Sequence, residues 1–565
     1  MSQFQFKTLL LTALLFICFY ITHGQNVEWV FHAKGIGTAP LIPTVQNTLA
    51  KDADGNLYMT SSVADSTQFG PFAIHGTEVL PGAGIFLNAS YLSKFNAQGE
   101  PQWVKTFEGT GILGILDIET DQNGDVVMGG VIQGAVMIDT IPLATTLNSV
   151  SELFLAKFNS DGEVIWAIMD DGVGFAVSDI SSLAISPSGN IIVGGTSGDR
   201  LFMGSFNGDG VLNWGRVYGN INQIMTRCGI AVDASNDIYW VGSTGTTVSS
   251  DFTTFDTITF KPYGGSMFVS KYNSDGDITW LRHYGEDSLS TARIASFNIE
   301  VGGNGLYIGG DFTDTINIGG TVLTEPIITG THLFAIKYDL AGNIEWVKQS
   351  HGPANGVDVF DISTNDNGDL FIGGRAGNSN GLSSFVVGEG NHEASIVIDG
   401  SWNGFLAKYK SDGELDWIKG MRGFDESEVR AVVTTGENTA VISGIIKGTV
   451  QIGDSSLTTT PTSGASNVIL TSWDGSASST GIGPEIIENG VKIYPNPSED
   501  QLFIEFENVS KFESVKLLDL QGRILQEVNN LQPLQRLSVK HLPAGVYLIQ
   551  AKGKNGVFNQ KIVRE

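Results

Sequence analysis

Cysteine is nearly absent from this chain, which contains only Cys18 and Cys228 among its 565 residues. Cys18 lies in an N-terminal apolar segment, and removal of that segment leaves Cys228 alone, so an intrachain disulfide is excluded. A chain without disulfides depends on its hydrophobic core for stability. We expect Cys228 to be a small buried apolar residue rather than a reactive thiol.

Basic residues are also scarce. Lys and Arg number 32 against 60 Asp and Glu, which gives a net charge of −28 at pH 7. Lys7 is the one charged residue among the first 25, and residues 491–565 hold ten basic and eight acidic residues, so residues 26–490 carry −31. Such an acidic segment repels phosphate backbones and anionic lipid surfaces, and we expect no nucleic-acid partner.

Long apolar runs are missing as well. The run at residues 9–21 is about a dozen residues long, short of the roughly 20 that a membrane-spanning helix requires. It follows Lys7 and ends in the small-residue exit Thr22-His23-Gly24, which is the pattern of a cleavable secretory signal peptide at residues 1–24. We therefore expect an exported chain with no transmembrane segment.

Two motifs of common catalytic sites are absent from the sequence. There is no H-E-x-x-H and no phosphate-binding loop. Phrases such as residues 121–125 resemble a calcium loop, but their Gly is the fourth residue, whereas a calcium loop has Gly at the sixth. The sequence favours a protein that is not an enzyme, and it predicts no catalytic residues, no metal site and no cofactor.

What the sequence does contain is a repeated phrase of 13 residues. Each copy has an aromatic-led apolar strand, a turn with Gly, and a second strand that places Trp four residues after that Gly. Each copy is typical of a β-hairpin, and a second hairpin follows it, so two hairpins make a four-stranded unit. Such units predict the blades of an all-β propeller, with the periodic aromatic residues packed between blades. The copies are residues 91–103, 154–166, 202–214, 268–280, 334–346 and 405–417.

A seventh copy reaches Trp473 and the following Asp-Gly turn, but no Trp strand comes after it. The missing strand stands at the start of the mature chain, where Trp29 follows Gln25 at the spacing that the repeat gives to Gly and Trp. We expect the strand of Trp29 to pair beside that of Trp473 as the outermost strand of the last blade. Residues 25–475 are therefore predicted to form a seven-bladed β-propeller that its N-terminal strand closes, without open sheet edges.

The connections between strands differ between the two faces of such a ring. One face carries tight turns, and the other carries long, dissimilar connections such as residues 68–89, 249–266 and 378–403. Residues 316–323 have the pattern of a further hairpin. A rigid ring with variable loops on one face favours recognition of an extracellular glycan or protein.

Three polar residues occupy equivalent places in the first strand of their units: Asp117, Asn298 and Asp361. They are candidates for binding a polar ligand or a cation at the mouth of the ring. The alternative is that they hydrogen-bond loop backbone, as Asx residues at strand ends commonly do.

Two other function classes stay open. Paired carboxylates such as Asp170-Asp171 and Asp425-Glu426 lie in the variable loops, and a secreted polysaccharide hydrolase or lyase uses two carboxylates across a glycosidic bond. A purely structural surface or adhesion component is the second alternative.

The C-terminal segment differs in composition from the ring. A linker rich in Gly and Ser at residues 476–490 precedes residues 491–565, whose net charge is +2. Alternating apolar residues in this segment favour a small immunoglobulin-like β-sandwich. Four short phrases stand out in it: VKIYPNP at 491–497, VKLLDLQGRIL at 515–525, LPAGVYLIQ at 542–550 and the basic end KIVRE.

These phrases resemble the type A C-terminal sorting domain of the type IX secretion system. The residues that carry the resemblance are Tyr494, Pro495, Asn496, Pro497, Gly522, Gly545 and Tyr547. The resemblance implies that the type IX machinery is a partner and that the protein crosses the outer membrane, after which it is released or attached to the cell surface. The resemblance indicates where the protein is delivered and does not indicate an activity.

Overall fold

The computed structural model describes residues 27–35, 49–63, 66–75, 77–80, 85–87, 89–145, 151–169, 177–198, 200–219, 228–244, 253–260, 266–284, 293–303, 305–324, 330–351, 356–377, 383–389, 392–398, 401–423, 425–452, 455–458, 467–475, 491–494, 501–506, 509, 512–519, 523–543, 545–553 and 556–564. The chain divides into two compact units, one of which is Asn26–Ser476. The other contains the C-terminal segment. The part of the chain described contains no helix with the length and apolarity that a membrane crossing requires.

The first unit is built from antiparallel sheets that resemble propeller blades, and we label the four main strands of each sheet A to D. In sheets 1 to 6 the strands follow one another in the order of the chain. The strands are Leu49–Lys51, Leu57–Val63, Ala89–Phe95 and Pro101–Thr106 in sheet 1; Ile112–Thr120, Val126–Gln133, Glu152–Phe158 and Val164–Met169 in sheet 2; Val177–Ile185, Ile191–Ser197, Arg200–Phe206 and Leu212–Tyr218 in sheet 3; Cys228–Val232, Ile238–Thr244, Ser266–Tyr272 and Ile278–Tyr284 in sheet 4; Arg293–Gly302, Gly305–Thr313, His332–Asp339 and Ile344–Gln349 in sheet 5; and Gly356–Thr364, Leu370–Gly377, Trp402–Tyr409 and Leu415–Gly420 in sheet 6.

Sheet 7 takes its strands from both ends of the unit. Strands A to C are Ser427–Thr434, Thr439–Ile446 and Asn467–Asp474, and strand D is Val27–Gly35. Strand D runs antiparallel to strand C, with Trp29 opposite Ser472 and Val27 opposite Trp473. The hydroxyl of Thr471 donates a hydrogen bond to the Trp29 carbonyl oxygen at 2.8 Å.

The A strands contact one another in a closed series. Strand A of each sheet contacts strand A of the next, and strand A of sheet 7 contacts strand A of sheet 1. Between the sheets lie buried apolar clusters, such as the one that joins Tyr58 of sheet 1 to Ile118 and Phe154 of sheet 2. The hydrophobic core is therefore distributed among the joints between sheets.

Each strand D Trp packs on the next sheet. The indole of Trp103 in sheet 1 lies against Gly162 in the C–D turn of sheet 2, where φ is +82° and an added Cβ would stand 3.0 Å from the ring. The series includes Trp29, whose indole lies against Gly99 of sheet 1. The repeated spacing of Gly and Trp therefore serves the joints between sheets, because a side chain at the Gly would displace the indole.

Most connections between strands B and C carry a further hairpin. A described hairpin stands there in every sheet except sheet 3, where strand B ends at Ser197 and strand C begins at Arg200. In sheet 5 this is the hairpin expected at residues 316–323. The hairpin strands are Ser66–Phe69 with Phe72–His75, Thr77–Leu80 with Ile85–Leu87, Ala135–Ile138 with Ile141–Ala144, Thr253–Phe255 with Ile258–Phe260, Thr315–Ile318 with Thr321–Thr324, Ser383–Val387 with Ala394–Ile398, and Thr449–Ile452 with Ser455–Thr458.

The hairpins of sheets 2, 6 and 7 pair with the chain that follows the preceding sheet. The chain just after strand D of sheet 1 forms a short strand, Glu108–Gly109, that pairs with the hairpin of sheet 2. His351 after sheet 5 pairs with Val386, and Arg422 after sheet 6 pairs with Gln451. These hairpins therefore connect adjacent sheets, and they also lengthen the loops between strands B and C.

The C-terminal unit contains two sheets around one core. The first holds Val491–Tyr494, Gln501–Phe506 and Leu534–Ser538 in that order. The second orders its strands as Ile524–Val528, Phe512–Leu518, Gly545–Gly553 and Gly556–Arg564. Leu502, Leu517 and Ile549 are among the buried residues between them.

Candidate functional site

Asp117 and Asp361 lie in strand A of sheets 2 and 6, each just after a β-bulge. Both carboxylates accept hydrogen bonds from backbone amides. Asp117 accepts from Leu183 of sheet 3 at 2.7 Å, and Asp361 accepts from Val432 of sheet 7 at 2.8 Å. Each also accepts from the amide of the residue that follows it. The two carboxylates therefore join neighbouring A strands.

Asn298 holds the equivalent position in sheet 5, since it stands opposite Gly309 as Asp117 stands opposite Gly129 and Asp361 opposite Gly373. Its Nδ2 is buried and has no hydrogen-bond partner among the described residues. The three residues predicted together are thus equivalent in the structure, but they lie in separate sheets.

Glu119 and Glu300 occupy the next matching position along strand A of sheets 2 and 5. Burial raises the pKa of Glu119 to about 7 and that of Asp361 to about 8. Burial, and then the charge of Glu119, raises the pKa values of Asp117 and Glu300 well above their ordinary range. The inner strands thus carry acidic groups that influence one another, although no described cluster of His, Cys, Asp and Glu has the arrangement of a metal site.

A second polar cluster lies where sheets 6 and 7 meet. Arg375 at the end of strand B donates from Nε to Asp358 at 2.7 Å and from Nη1 to Glu428 at 2.5 Å. Its guanidinium carbon lies 4.1 Å from the centroid of the Trp402 ring. Arg430 donates to the other oxygen of Glu428 and lies 4.2 Å from the Phe360 ring centroid. We call these six residues the Arg–aromatic cluster.

Two bulges position part of this cluster. Phe360 is the extra residue between Val359 and Asp361, and Arg430 is the extra residue between Val429 and Ala431 in the equivalent strand of sheet 7. A bulge turns a side chain away from the regular alternation of a strand. The matched bulges of adjacent A strands therefore bring Phe360 and Arg430 together.

Buried hydrogen bonds fix the backbone beside Trp402, which is the remaining side of the cluster. Asn403, beside Trp402, donates from Nδ2 to the Met421 carbonyl oxygen at 2.9 Å. Ser427 donates to the same oxygen and accepts from the amide of Gly404. Asn403 and Ser427 are each 2% exposed or less, so the backbone under Trp402 is fixed from within.

The cluster stands on the face of the long connections. Asp358 lies near the start of strand A, Arg375 near the end of strand B, and Trp402 at the start of strand C. Its two guanidinium groups and two carboxylates balance in charge. The cluster offers a partly exposed indole beside fixed donors and acceptors, which suits a neutral polar ligand with an apolar face.

Sequence reasoning missed this cluster, although the tryptophans gave a usable indication. Seven of the ten belong to the repeat, and Trp240 and Trp473 are buried in the core. Trp402 is left as the one that neither the repeat nor the core explains. Arg375 is a second indication, because it stands where sheet 2 has Val131 and sheet 7 has Ile445.

The other predicted residues are dispersed. Asp425 is exposed, and Glu426 lies 3.7 Å from Lys447 in an exposed ion pair. Asp170 and Asp171 lie outside the described residues, as do the signal peptide and the linker.

Within the C-terminal unit, only part of the predicted motif is described. Gly545 begins a strand, and the buried Tyr547 donates from its hydroxyl to the Pro543 carbonyl oxygen at 2.8 Å. Tyr494 pairs through its backbone with Phe503. Pro495, Asn496, Pro497 and Gly522 lie outside the described residues.

Comparison with known proteins assigns the C-terminal unit. Residues 492–565 match the secretion system C-terminal sorting domain. The chain therefore combines repeated sheets that resemble propeller blades with a type IX sorting domain. That domain directs this repeat protein across the outer membrane, to the cell surface or to secretion.

The chain has a distant relative among repeat proteins. A WD repeat-containing protein of Acanthamoeba polyphaga mimivirus, itself uncharacterized, is 21% identical over 443 residues, which are 64% of this chain. The match spans 31% of that relative's length. At this extent the similarity assigns no activity to the repeat protein.

Solved structures resemble the fold weakly. Virginiamycin B lyase from Staphylococcus aureus is 11% identical, covers 69% of this chain and 98% of its own, and has a TM-score of 0.34. PorZ of Porphyromonas gingivalis, a surface component of the type IX secretion system, is 12% identical, covers 92% of this chain and 81% of its own, and has a TM-score of 0.25. At these values neither likeness bears on the activity of the repeat protein.

Proposed function

We propose that this protein is an exported binding protein whose ring recognises a neutral extracellular polysaccharide through the Arg–aromatic cluster. The observation that carries the proposal is the stacking of Arg375 on the partly exposed Trp402, with Asp358 and Glu428 holding the guanidinium. A sugar ring has an apolar face that packs on an indole and hydroxyls that pair with such donors and acceptors. Balanced charges remove the preference for an anion.

The proposal includes the architecture. The closed series of A-strand contacts and the pairing of Trp29 with Ser472 support a seven-bladed propeller at residues 25–475, closed by its N-terminal outermost strand. The two C-terminal sheets support an immunoglobulin-like sandwich. Residues 1–24 are the signal peptide, and residues 476–490 are the linker.

The proposal is tested on a glycan array with the purified protein. We expect neutral polysaccharides to be retained, and we expect Trp402→Ala or Arg375→Ala to weaken binding by about tenfold or more, because one stacked or ion-paired anchor contributes about 1.4 kcal/mol or more. The matched control is Arg216→Ala, which removes an arginine that stacks on Trp214 elsewhere in the ring. Its binding stays at the wild-type level.

Retention of no neutral glycan by the folded protein would overturn this function. Equal binding by the wild type and Trp402→Ala would show that the binding site lies outside the Arg–aromatic cluster. Circular dichroism of each variant separates lost binding from lost folding.

A further inference from the structure

Lys408 is a buried amine with an unusual set of partners. It lies on strand C of sheet 6 and is 2% exposed. Its Nζ stands 2.6 Å from Oδ1 of Asn438, 2.9 Å from Oδ2 of Asp369 and 3.1 Å from Oδ2 of Asp416. Asn438 belongs to the A–B turn of sheet 7, so the amine meets a carboxamide across the joint between two sheets.

Lysines at the equivalent position of other sheets lack this carboxamide. Lys157 pairs with Asp121 and Asp125, and Lys271 pairs with Asp233 and Asp237. Lys94 and Lys337 donate to backbone carbonyls of the next sheet. The repeat therefore accounts for the lysine and its acidic neighbours, and it leaves the side chain of Asn438 unexplained.

Hydrogen bonds fix the groups around the amine. The Asn438 carbonyl oxygen accepts from the Gly475 amide at 2.8 Å. The preceding carbonyl, of Glu437, accepts from Nδ2 of Asn365 at 2.9 Å. Nδ2 of Asn365 also donates to Oδ2 of Asp369 at 3.1 Å. Because a C=O bond is about 1.23 Å long, Cγ of Asn438 lies within about 4 Å of Nζ, near the distance at which held groups react.

We propose that Lys408 and Asn438 condense to form an isopeptide bond between sheets 6 and 7. Asp369 accepts a proton from the Lys408 ammonium, and the neutral Nζ attacks Cγ of Asn438. The Nζ–Cγ bond forms, the Cγ–Nδ2 bond breaks, and the departing nitrogen takes up the protons as an ammonium ion. One ammonium and one primary amide thus give one secondary amide and one ammonium ion, with no oxidant or cofactor. Burial excludes water from the amine, as nucleophilic lysines require.

The bond gives an exported chain without disulfides a covalent link. It joins the sheet that N-terminal strand D completes to the sheet before it. A cross-link of this kind limits the unfolded chain in the way that a disulfide does.

Peptide mapping of the purified full-length protein tests the proposal. Trypsin would cleave after Lys408, Lys410, Lys419, Arg422 and Arg430 of an unlinked chain and so separate the two residues. A linked chain gives peptide 376–410 joined to peptide 431–447, lighter than their sum by one ammonia and uncut after Lys408. Lys157 and Lys271 serve as internal controls, and their peptides are recovered unlinked.

Four variants test which side chains take part in forming the isopeptide bond. Lys408→Arg and Asn438→Ala each abolish the linked pair. Asp369→Asn together with Asp416→Asn keeps both reacting groups and lowers the yield of linked pair at least tenfold, because both carboxylates within reach of the ammonium are removed. Asp369→Asn alone lowers the yield less if Asp416 takes over the proton. Recovery of the wild-type peptides as separate 376–408 and 431–447, from protein shown to be folded by circular dichroism, would overturn the isopeptide bond. Full linkage in the double variant would contradict the proton transfer to a carboxylate.

Discussion

Single acidic residues of the A strands affect both the contacts between sheets and the electrostatics of the interior. The carboxyl groups of Asp117 and Asp361 accept hydrogen bonds from backbone amides of the next sheet. A carboxylate is a strong acceptor for such amides, but burying its charge costs free energy. Glu119 and Glu300 lie nearby, and neither has a basic group among the causes of its raised pKa. The interior therefore favours the protonated, neutral form of these acids, and they become charged only as the pH rises past their raised pKa values.

Stability is expected to fall as pH rises. The pKa of Glu119 is about 7 and that of Asp361 about 8 in the fold, above the values of about 4 that these groups have in an unfolded chain. The folded state thus binds more protons than the unfolded state between pH 4 and 8, and the free energy of unfolding decreases across that window. Urea denaturation at pH 5 and pH 8 measures the decrease.

Glu119→Gln removes one such charge and leaves Asp361 in place. Its unfolding free energy at pH 8 is expected to exceed that of the wild type, with little difference at pH 5. A wild type that gains stability steadily up to pH 8, or a variant that destabilises equally at both pH values, would contradict this account of the inner acids.

Two kinds of contact between secondary-structure elements hold adjacent sheets together. The C–D turn of one sheet presents a Gly to the strand D Trp of the sheet before it. In sheets 2, 6 and 7 the B–C hairpin also pairs with the chain after strand D of the preceding sheet. Both contacts cross the same joint. A Trp and a Gly four residues apart in sequence therefore act in different joints.

Gly162→Ala and Gly189→Ala form a matched pair at this scale. Both glycines have φ near +82°, so alanine costs about 1–2 kcal/mol of backbone strain at either. An added Cβ at Gly162 would stand 3.0 Å from the Trp103 ring, whereas at Gly189 it meets nothing within 4 Å. Denaturant unfolding should show the larger loss for Gly162→Ala, and equal losses would mean that the indole contact contributes nothing.

The hairpins offer another matched pair, in sheet 5. Ile318 is fully buried, whereas Val322 is 54% exposed. Ile318→Ala is expected to cost about 2–5 kcal/mol in thermal or denaturant unfolding, and Val322→Ala about 0.5 kcal/mol or less. A small loss for Ile318→Ala would show that the hairpins are appended to the joints without stabilising them.

Periodic elements could be predicted from the sequence, and the Arg–aromatic cluster could not. Strands and turns follow from short-range spacing, because each turn Gly and each apolar alternation shapes its own hairpin. The seventh unit follows from the repeat, whose missing Trp strand stands at the other end of the unit. Phe360 and Arg430 meet through two bulges in different sheets, and Arg375 reaches Glu428 across 53 positions of the chain. Asp117 and Asp361 were found by equivalence, but their amide partners belong to the next sheet.

At the scale of the whole molecule, the chain contains a unit of antiparallel sheets that resemble propeller blades and a C-terminal sorting domain. The sorting domain accounts for the destination of the chain, beyond the outer membrane. The proposed function depends on closure, because the pairing of the N-terminal strand in sheet 7 fixes the sheets relative to one another.

A disulfide-trapping measurement tests that closure most directly. In a Cys228→Ala background, Val30→Cys with Thr471→Cys places two thiols on Cα partners of strands D and C of sheet 7. Facing residues of antiparallel strands lie about 4.5–5.5 Å apart between Cα atoms, within disulfide range. The control pair, Val30→Cys with Val322→Cys, places the second thiol in the hairpin of sheet 5. Closure predicts that mild oxidation of the folded monomer joins 30 to 471, and not 30 to 322, in the peptide map. Two free thiols at 30 and 471 after oxidation of folded protein would contradict it.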